Sequence, residues 1–521
     1  MDKNAYRFPT LGELMNAFVK ASGLMARKNS KSKVFDESQK KAMQMKLKRL
    51  ADETSKLDDQ LEDVKTILAE LLYEVIPEPR FIYAIIASID DVLVQYKDLI
   101  RNEGTYSHYL DSIRWMIYSR GIERIITSIV KNGLSYNLLK INLIFPSDID
   151  WWLPTFEGEK IDWPIKKAWQ WIYDYVGLSQ RQFHLSSKPN FKEERNLENA
   201  QRWVTDKQFP STNAMIDCLD DALIEINTKN SISNSEIISF KIIIFLSRVS
   251  TYAFKLLNDT YGYIFSECIS RCLLEQFSTL KEEIGYIFLA CGSINYNYKD
   301  IVKRDALIFD YVSFYWSERS RKLLESIRLY DDKIKEVFKG KKEVKHAFDS
   351  SNISKHIPLF EINALIRNHE DRFNFKPSMI YVKLLLEGLK LKRKPKSIDE
   401  IIKYENNVNL NGFKNVLAWV VQWSYANYFY NKNDYNKSYF YYKKAFYLSK
   451  YSVGHDQYLL VNQYIEICAK NKKYREFKKG LAWAKYLNIP IRWLRNMDNP
   501  ESEENVKFLY SWFMICNYCK F

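Results

Sequence analysis

The chain has 521 residues, which at ~100–200 residues per domain is room for three or four domains or one long helical array. Its 46% apolar and 27% charged residues make an ordinary globular composition. Glycine is scarce (15 residues, against an average of about 7%), and 13 prolines add little. So few turn-formers exclude a barrel, a sandwich or many βαβ crossovers, and they argue against phosphate loops and dinucleotide folds. An all-α protein remains: an elongated helical-repeat, solenoid-like body with an N-terminal long helix or coiled-coil arm.

In chain order, residues 1–35 open with Tyr6, Phe8, Leu11, Leu14, Met15 and Phe18, a short amphipathic helix, and run into a Lys/Ser loop. The segment 36–76 carries the strongest periodicity: Met43, Leu47, Leu50, Thr54, Leu57, Leu61, Val64, Leu68, Leu71 and Val75 alternate spacings of 3 and 4 until Pro77. Either a coiled-coil seam or a helical hairpin arm fits. Residues 27–50 hold nine basic and two acidic side chains, and residues 51–74 hold two basic and eight acidic. An antiparallel partner would match those halves. Self-association and packing on the protein's own body are both open, and a homo-oligomer is one consequence of the first.

Residues 77–163 stay helical, punctuated by Gly104, Gly121 and Gly133, and end in an aromatic, proline-rich connector containing Trp151, Trp152, Pro154, Phe156 and Trp163. A module at 164–228 and a helical middle region at 229–410 follow. The latter contains a basic stretch at 319–346 and a basic loop from Lys390 to Lys396. The last region, 411–521, is helical and rich in aromatics.

Lys and Arg exceed Asp and Glu by 78 to 64, a net charge of +14 that favours an anionic partner, although a generally basic protein accounts for it too. Seven scattered cysteines, odd in number, argue for a reducing compartment. Cys268 and Cys272 read as buried thiols, and Cys516 and Cys519 lack a second pair at zinc spacing. The N-terminus shows no apolar leader, and no apolar run approaches the ~18 residues of a spanning helix. The expectation is a cytoplasmic protein with no membrane partner, no metal and no cofactor.

The C-terminal region carries a repeat. Trp423, Ala426, Phe429, Tyr435, Ser438, Tyr442, Ala445 and Leu448 place small residues where two antiparallel helices cross. A second copy comes 39 residues later, with Tyr464, Ile465, Tyr474, Phe477, Leu481, Ala484 and Leu487, and an insertion at 452–456. Over 413–490 the pattern resembles the tetratricopeptide repeat, which implies a scaffold that binds peptide or nucleic acid, without catalysis. Residues 470–495 are also strongly basic, with nine cations and one acid, Glu476. Lys472, Lys473, Arg475, Lys478, Lys479, Lys485, Arg492 and Arg495 are the candidate phosphate contacts, with neighbouring tyrosines placed to stack on bases.

Residues 166–227 contain Gly177-Leu-Ser-Gln180 at a helix junction, Trp203 at a helix end, and Pro210-Ser211 before the next helix. This resembles the helix-turn-helix of Cro-type repressors, with extra residues between Ser186 and Arg195. The resemblance implies that Leu197, Ala200 and Trp203 face the core. It implies also that Arg195, Asn199, Gln201 and Arg202 reach base edges or phosphates. Arg101-Asn102 followed by His108 resembles the Arg-x(4–6)-His motif of HEPN-type ribonucleases, which implies a metal-independent cleavage of RNA. The remaining histidines read mostly as surface or capping residues. The combination of repeats and a helix-turn-helix-like module is similar to that of bacterial regulators and phage-defence accessory proteins. The expected role is a non-catalytic subunit that binds nucleic acid, DNA or RNA, and a protein partner through the repeats and the arm. Its rivals are a pure protein scaffold and the HEPN-like ribonuclease.

Overall fold

The structure is a computed structural model, and it describes residues 8–24, 37–51, 57–102, 125, 128–129, 132–133, 136, 143–158, 160–186, 189–226, 232–291, 379–491 and 502–515. Among the described residues the fold is all-α: seventeen α-helices and one two-stranded hairpin. The basic stretch 319–346, His108, Arg492, Arg495 and the Cys516–Cys519 pair lie outside the described residues.

Helix α1 (Leu11–Ser22) starts at a reciprocal cap, in which Glu13 N donates to Thr10 Oγ1 and Thr10 N to Glu13 Oε2 (3.2 and 2.6 Å). Its apolar stripe Leu11, Met15 and Val19 is buried. The heptad segment is two helices, α2 (Glu37–Ala51) and α3 (Leu57–Val75). Lys46 Nζ lies 2.7 Å from Asp63 Oδ2. In one continuous helix those residues would stand about 25 Å apart, so the two halves fold back antiparallel. The basic half therefore finds its acidic partner in the same chain, and Met43, Leu47, Leu50, Leu61, Val64, Leu68 and Leu71 are all buried. Of the two openings the sequence left, packing on the protein's own body describes this seam. The one long helix expected over 36–76 is corrected to two, and of the coiled-coil seam and the hairpin arm the hairpin is the one formed.

Helix α4 (Pro79–Asn102) packs on α3 and on the C-terminal region. Phe8 N donates to Tyr451 O (3.1 Å), the Tyr96 hydroxyl to Pro9 O, and Gln457 Nε2 to Ile100 O (3.0 Å). The aromatic connector forms a 3-10 turn (Ile149–Trp152) and an antiparallel hairpin, β1 (Thr155–Glu157) with β2 (Lys160–Asp162), in the register Phe156↔Ile161.

Next come α5 (Pro164–Val176), α6 (Gln180–His184), α7 (Phe191–Val204) and α8 (Thr212–Ile226), each touching at least two of the others. Gly177 ends α5 at φ +73, and Ser179 begins α6 with a capping box, as the sequence predicts. The long helices α9 (Asn234–Tyr261) and α10 (Tyr263–Cys291) follow. Cys272 is buried and Cys268 half-buried. Contrary to expectation, α9 is long and apolar enough by composition to cross a bilayer, the one such helix among the described residues. More than half of its most apolar window is buried inside the fold, against α1, α5, α8 and α10. Ile242, Ile243, Ile244 and Phe245 are core residues here.

In the C-terminal region α11 (Met379–Leu391), α12 (Ile398–Leu410), α13 (Ala418–Asn431), α14 (Tyr435–Ser449), α15 (Gln457–Lys470) and α16 (Tyr474–Tyr486) precede α17 (Glu503–Ile515). Consecutive helices from α12 to α16 pack on one another. The α13–α14 and α15–α16 turns are the same turn, 39 positions apart. Asn433 and Lys472 both adopt left-handed φ (60° and 54°). In each, two N–H groups reach back to the last carbonyls: Asn433 to Tyr430 and Asp434 to Phe429, Lys472 to Ala469 and Lys473 to Cys468.

The two copies close their helix crossings differently. In the first, Ser438 Oγ donates to Ala426 O (3.0 Å), small against small. In the second, Ile465 occupies the Ala426 position, and Gly480 makes room for it: a Cβ at Gly480 would stand 2.8 Å from Ile465 Cγ1. Gly480→Ala is expected to destabilise the protein by about 1–3 kcal/mol through overpacking. Adding Ile465→Ala should recover part of that loss. Urea unfolding of the four members of this cycle checks it, and additive losses would contradict the coupling.

Candidate nucleic-acid interface

Helix α16 buries Phe477, Gly480, Trp483 and Ala484 and turns its other side to solvent. Lys472, Lys473, Arg475, Lys478 and Lys485 are exposed, so five of the predicted cations do form an outward set. Three features trim it. Lys470 is buried beside Glu466 (3.9 Å), Lys478 has Glu503 of α17 at 3.8 Å, and Lys479 is half-buried.

Glu476, the one acid of this stretch, is its organising centre. It accepts from the hydroxyls of Tyr464 (2.9 Å) and Tyr447 (3.1 Å) and from Lys479 Nζ (3.1 Å), with Lys443 Nζ at 3.7 Å. Burial opposes its charge, but the Tyr464 and Lys479 hydrogen bonds outweigh burial and hold the carboxyl below its ordinary range. Lys479 Nζ also donates to the Tyr447 hydroxyl (3.4 Å), which ties the exposed edge of α14 to that of α16. Lys450, at the end of α14, does not join the surface. Burial, aided by the nearby Lys479, brings its ammonium down to about 7 beside the Phe446 and Trp483 rings.

Sequence reading missed Lys443, Lys444 and Tyr447, because the aromatics of α14 read as repeat core. The signal was present. Positions 437, 440, 444 and 447 recur at helical spacing and stand apart from the buried set Ser438, Tyr442, Ala445 and Phe446.

In the module α5–α8, Ala200 and Trp203 are buried as expected, and Leu197 is half-buried. Arg195, Gln201 and Arg202 are exposed and Asn199 half-exposed. The face is mixed in sign: Arg202 pairs with Glu198 (2.5 Å), and Glu194 is exposed beside them. The extra residues before α7 are pinned, since Asn190 caps α7 and Ser186 N donates to Glu193 Oε2 (2.7 Å). This set belongs to a neighbourhood of α5, α6 and α8, whereas α16 packs on α15, α17 and α3.

His184 departs from the surface or capping placement expected of most of the histidines. It is buried, with Nε2 2.9 Å from the Tyr173 hydroxyl and Nδ1 3.6 Å from Cys218 Sγ. Burial drives its pKa down to about 4 and that of Cys218 up to about 12, so both are neutral near pH 7. A groove of about 810 Å³ opens beside it, where Lys192 is paired with Asp221 (2.6 Å). Of the HEPN-like pattern, Arg101 is half-buried at the end of α4, and His108 lies outside the described residues.

Comparison with known proteins returns no match: no family model covers the chain, and neither a curated protein nor a solved structure is similar to it.

Proposed function

We propose that this protein is a non-catalytic subunit that binds nucleic acid through the basic outer face of α16 and holds a protein partner on its helical repeats. The observation that carries the reading is the outward set Lys472, Lys473, Arg475, Lys478 and Lys485, all exposed and gathered on one turn and one helix, with Glu503 3.8 Å from Lys478. Phosphates attract such a set without needing a groove or a pocket. Identical left-handed turns 39 positions apart support a tetratricopeptide-like scaffold as the frame that presents it. The helix-turn-helix-like module is the weaker contributor, because Glu194 and Glu198 dilute the charge of Arg195 and Arg202. The homo-oligomer reading loses its main support, since the heptad seam is buried within the chain.

Gel-shift titrations at two salt concentrations test this. Affinity should fall with salt by about 0.7–0.9 log units per log unit of salt for each phosphate neutralised. The triple variant Lys473→Glu, Arg475→Glu, Lys478→Glu should bind far more weakly and with a shallower salt dependence. All three residues are exposed, and acids in the first turn suit the helix dipole, so the variant should remain folded. A flat salt response, or unchanged binding by the triple variant, would leave the pure scaffold.

A further inference from the structure

The exposed side of α14 bears large apolar side chains interleaved with cations. Phe440 is 52% exposed, Tyr447 43% and Leu448 47%, while Lys437 and Lys444 are exposed between and before them. Single exposed apolar residues are commonplace on any surface. Here they follow one helical line at 437, 440, 444, 447 and 448, and the opposite side of the same helix is core. Phe440 and Tyr447 are two turns apart, about 10 Å along the axis. The Lys444 ammonium lies 4.2 Å from the centre of the Phe440 ring, so an aromatic plane and a positive charge occupy one spot. The line continues into the basic face of α16 through the Glu476 hub, where Lys443, Tyr447 and Lys479 meet.

Charge complementarity and the exposed rings together define the occupant. An acidic peptide would satisfy the lysines but has no use for two half-exposed rings in register with them. A bilayer would need an uninterrupted apolar face, whereas this one carries an ammonium at nearly every turn. Duplex nucleic acid offers phosphates and hides the flat faces of its bases. A single strand offers both phosphates and free base planes.

We propose that a single-stranded polynucleotide lies across the joined faces of α14 and α16, with bases stacked on Phe440 and Tyr447 and phosphates on the exposed Lys444 and Arg475. The proposal rests on the nucleic-acid reading above and narrows it to single strands.

Fluorescence anisotropy with 12-residue oligomers of deoxythymidine and of uridine, against a 12-base-pair duplex, tests it. The wild type should prefer both single strands to the duplex. Phe440→Ala with Tyr447→Ala should weaken single-strand binding by roughly 30-fold or more, the low end for two stacked bases, and leave duplex binding and the salt slope unchanged. Tyr447→Phe keeps the ring, loses the hydroxyl's bonds to Glu476 and from Lys479, and should stay within about twofold of wild type. Polyglutamate at equal charge concentration should not displace the oligomers. Equal affinity for strand and duplex, an unaffected double alanine variant, or displacement by polyglutamate would overturn the stacking proposal while leaving the basic face in place. Absence of binding to every polynucleotide would overturn the nucleic-acid reading along with it.

Discussion

Arg248→Met is expected to destabilise the protein by about 3–5 kcal/mol, measured as a lower urea midpoint at unchanged m-value. Arg248 sits in the middle of α9 and is only 5% exposed. Its guanidinium donates to Pro210 O (2.8 Å), Lys20 O (2.8 Å) and Ala21 O, and it lies over the Phe209 ring. Two of those acceptors are the last carbonyls of α1, which have no partner within the helix. Burial lowers the guanidinium pKa to about 10, so it stays charged at neutral pH, at the negative end of the α1 dipole. Methionine would fill much of the volume and leave three carbonyls dry. Hydrogen bonds to a charged donor are worth about 1.5–3 kcal/mol each, and the losses overlap because one group makes all three. Arg248→Lys should fall between the two, since one ammonium cannot span the fork. Gly23→Ala should act in the same direction, because Gly23 takes φ +61 and its added methyl would run into the guanidinium. A loss below 1 kcal/mol for Arg248→Met would show that α1 is held by its apolar stripe alone.

The effect should spread beyond α1. Thr212 donates its hydroxyl to Ser22 O on one side, while Phe8 and Pro9 bond to Tyr451 and Tyr96 on the other. The first helix thus joins the middle helices to the C-terminal ones. Hydrogen exchange in Arg248→Met should rise at α1 amides before it rises in α13–α16.

The fold class was legible because it follows from short-range chemistry. Scarce glycine removed sheet folds, and the seam from Met43 to Leu71 marked a buried stripe whatever covered it. Gly177 and Ser179 announced a helix end and start by their own backbone preferences. What covered the seam was not legible. A heptad pattern states that a face is apolar, and the partner is settled by where the chain turns. Helix ends without glycine were also hidden, because Asn433, Lys472 and Asn488 take the left-handed cap despite their side chains. Part of the site was legible for the same reason: a helical wheel sorts Arg475 from Phe477. It cannot foresee that Glu503 arrives from another helix, or that Lys470 is drawn inward to Glu466. Nor could the pattern place the lone arginine of the Ile242–Phe254 run, because two of its three acceptors lie more than two hundred positions away.

The second large effect is a pH dependence centred on His184. The ring is enclosed by Trp169, Tyr173 and Phe183. Tyr173 and Cys218 are both held protonated by burial, so a single direction of donation satisfies every group. The Tyr173 hydroxyl donates to Nε2, Nδ1–H donates to Cys218 Sγ, and the thiol donates to Asn196 O (3.7 Å). That chain requires a neutral imidazole, because a proton on Nε2 would face the hydroxyl that now donates to it. The folded pKa of about 4 lies below the ordinary 6.5, so between those values the unfolded chain binds a proton that the folded one refuses. Stability must therefore fall as pH drops from 6.5 toward 4, by about 3 kcal/mol in all. Burial, with the neighbouring Asp221 and Asp220, raises the Asp217 carboxyl, so its protonation works against the imidazole's trend; the other acid-sensitive carboxyls act lower. Glu193, Glu236 and Glu476 are carboxyls held below their ordinary range, and their contributions persist until the pH falls beneath it. Across the interval from 6.5 to 4.5 the imidazole is thus the group whose protonation works against the fold. His184→Gln should be less stable than wild type at pH 7, yet nearly level across that interval, so the two urea-midpoint curves converge as the medium is acidified. Parallel curves would mean that the buried ring takes up its proton at no cost, and the donation chain from Tyr173 to Asn196 would then not describe the site.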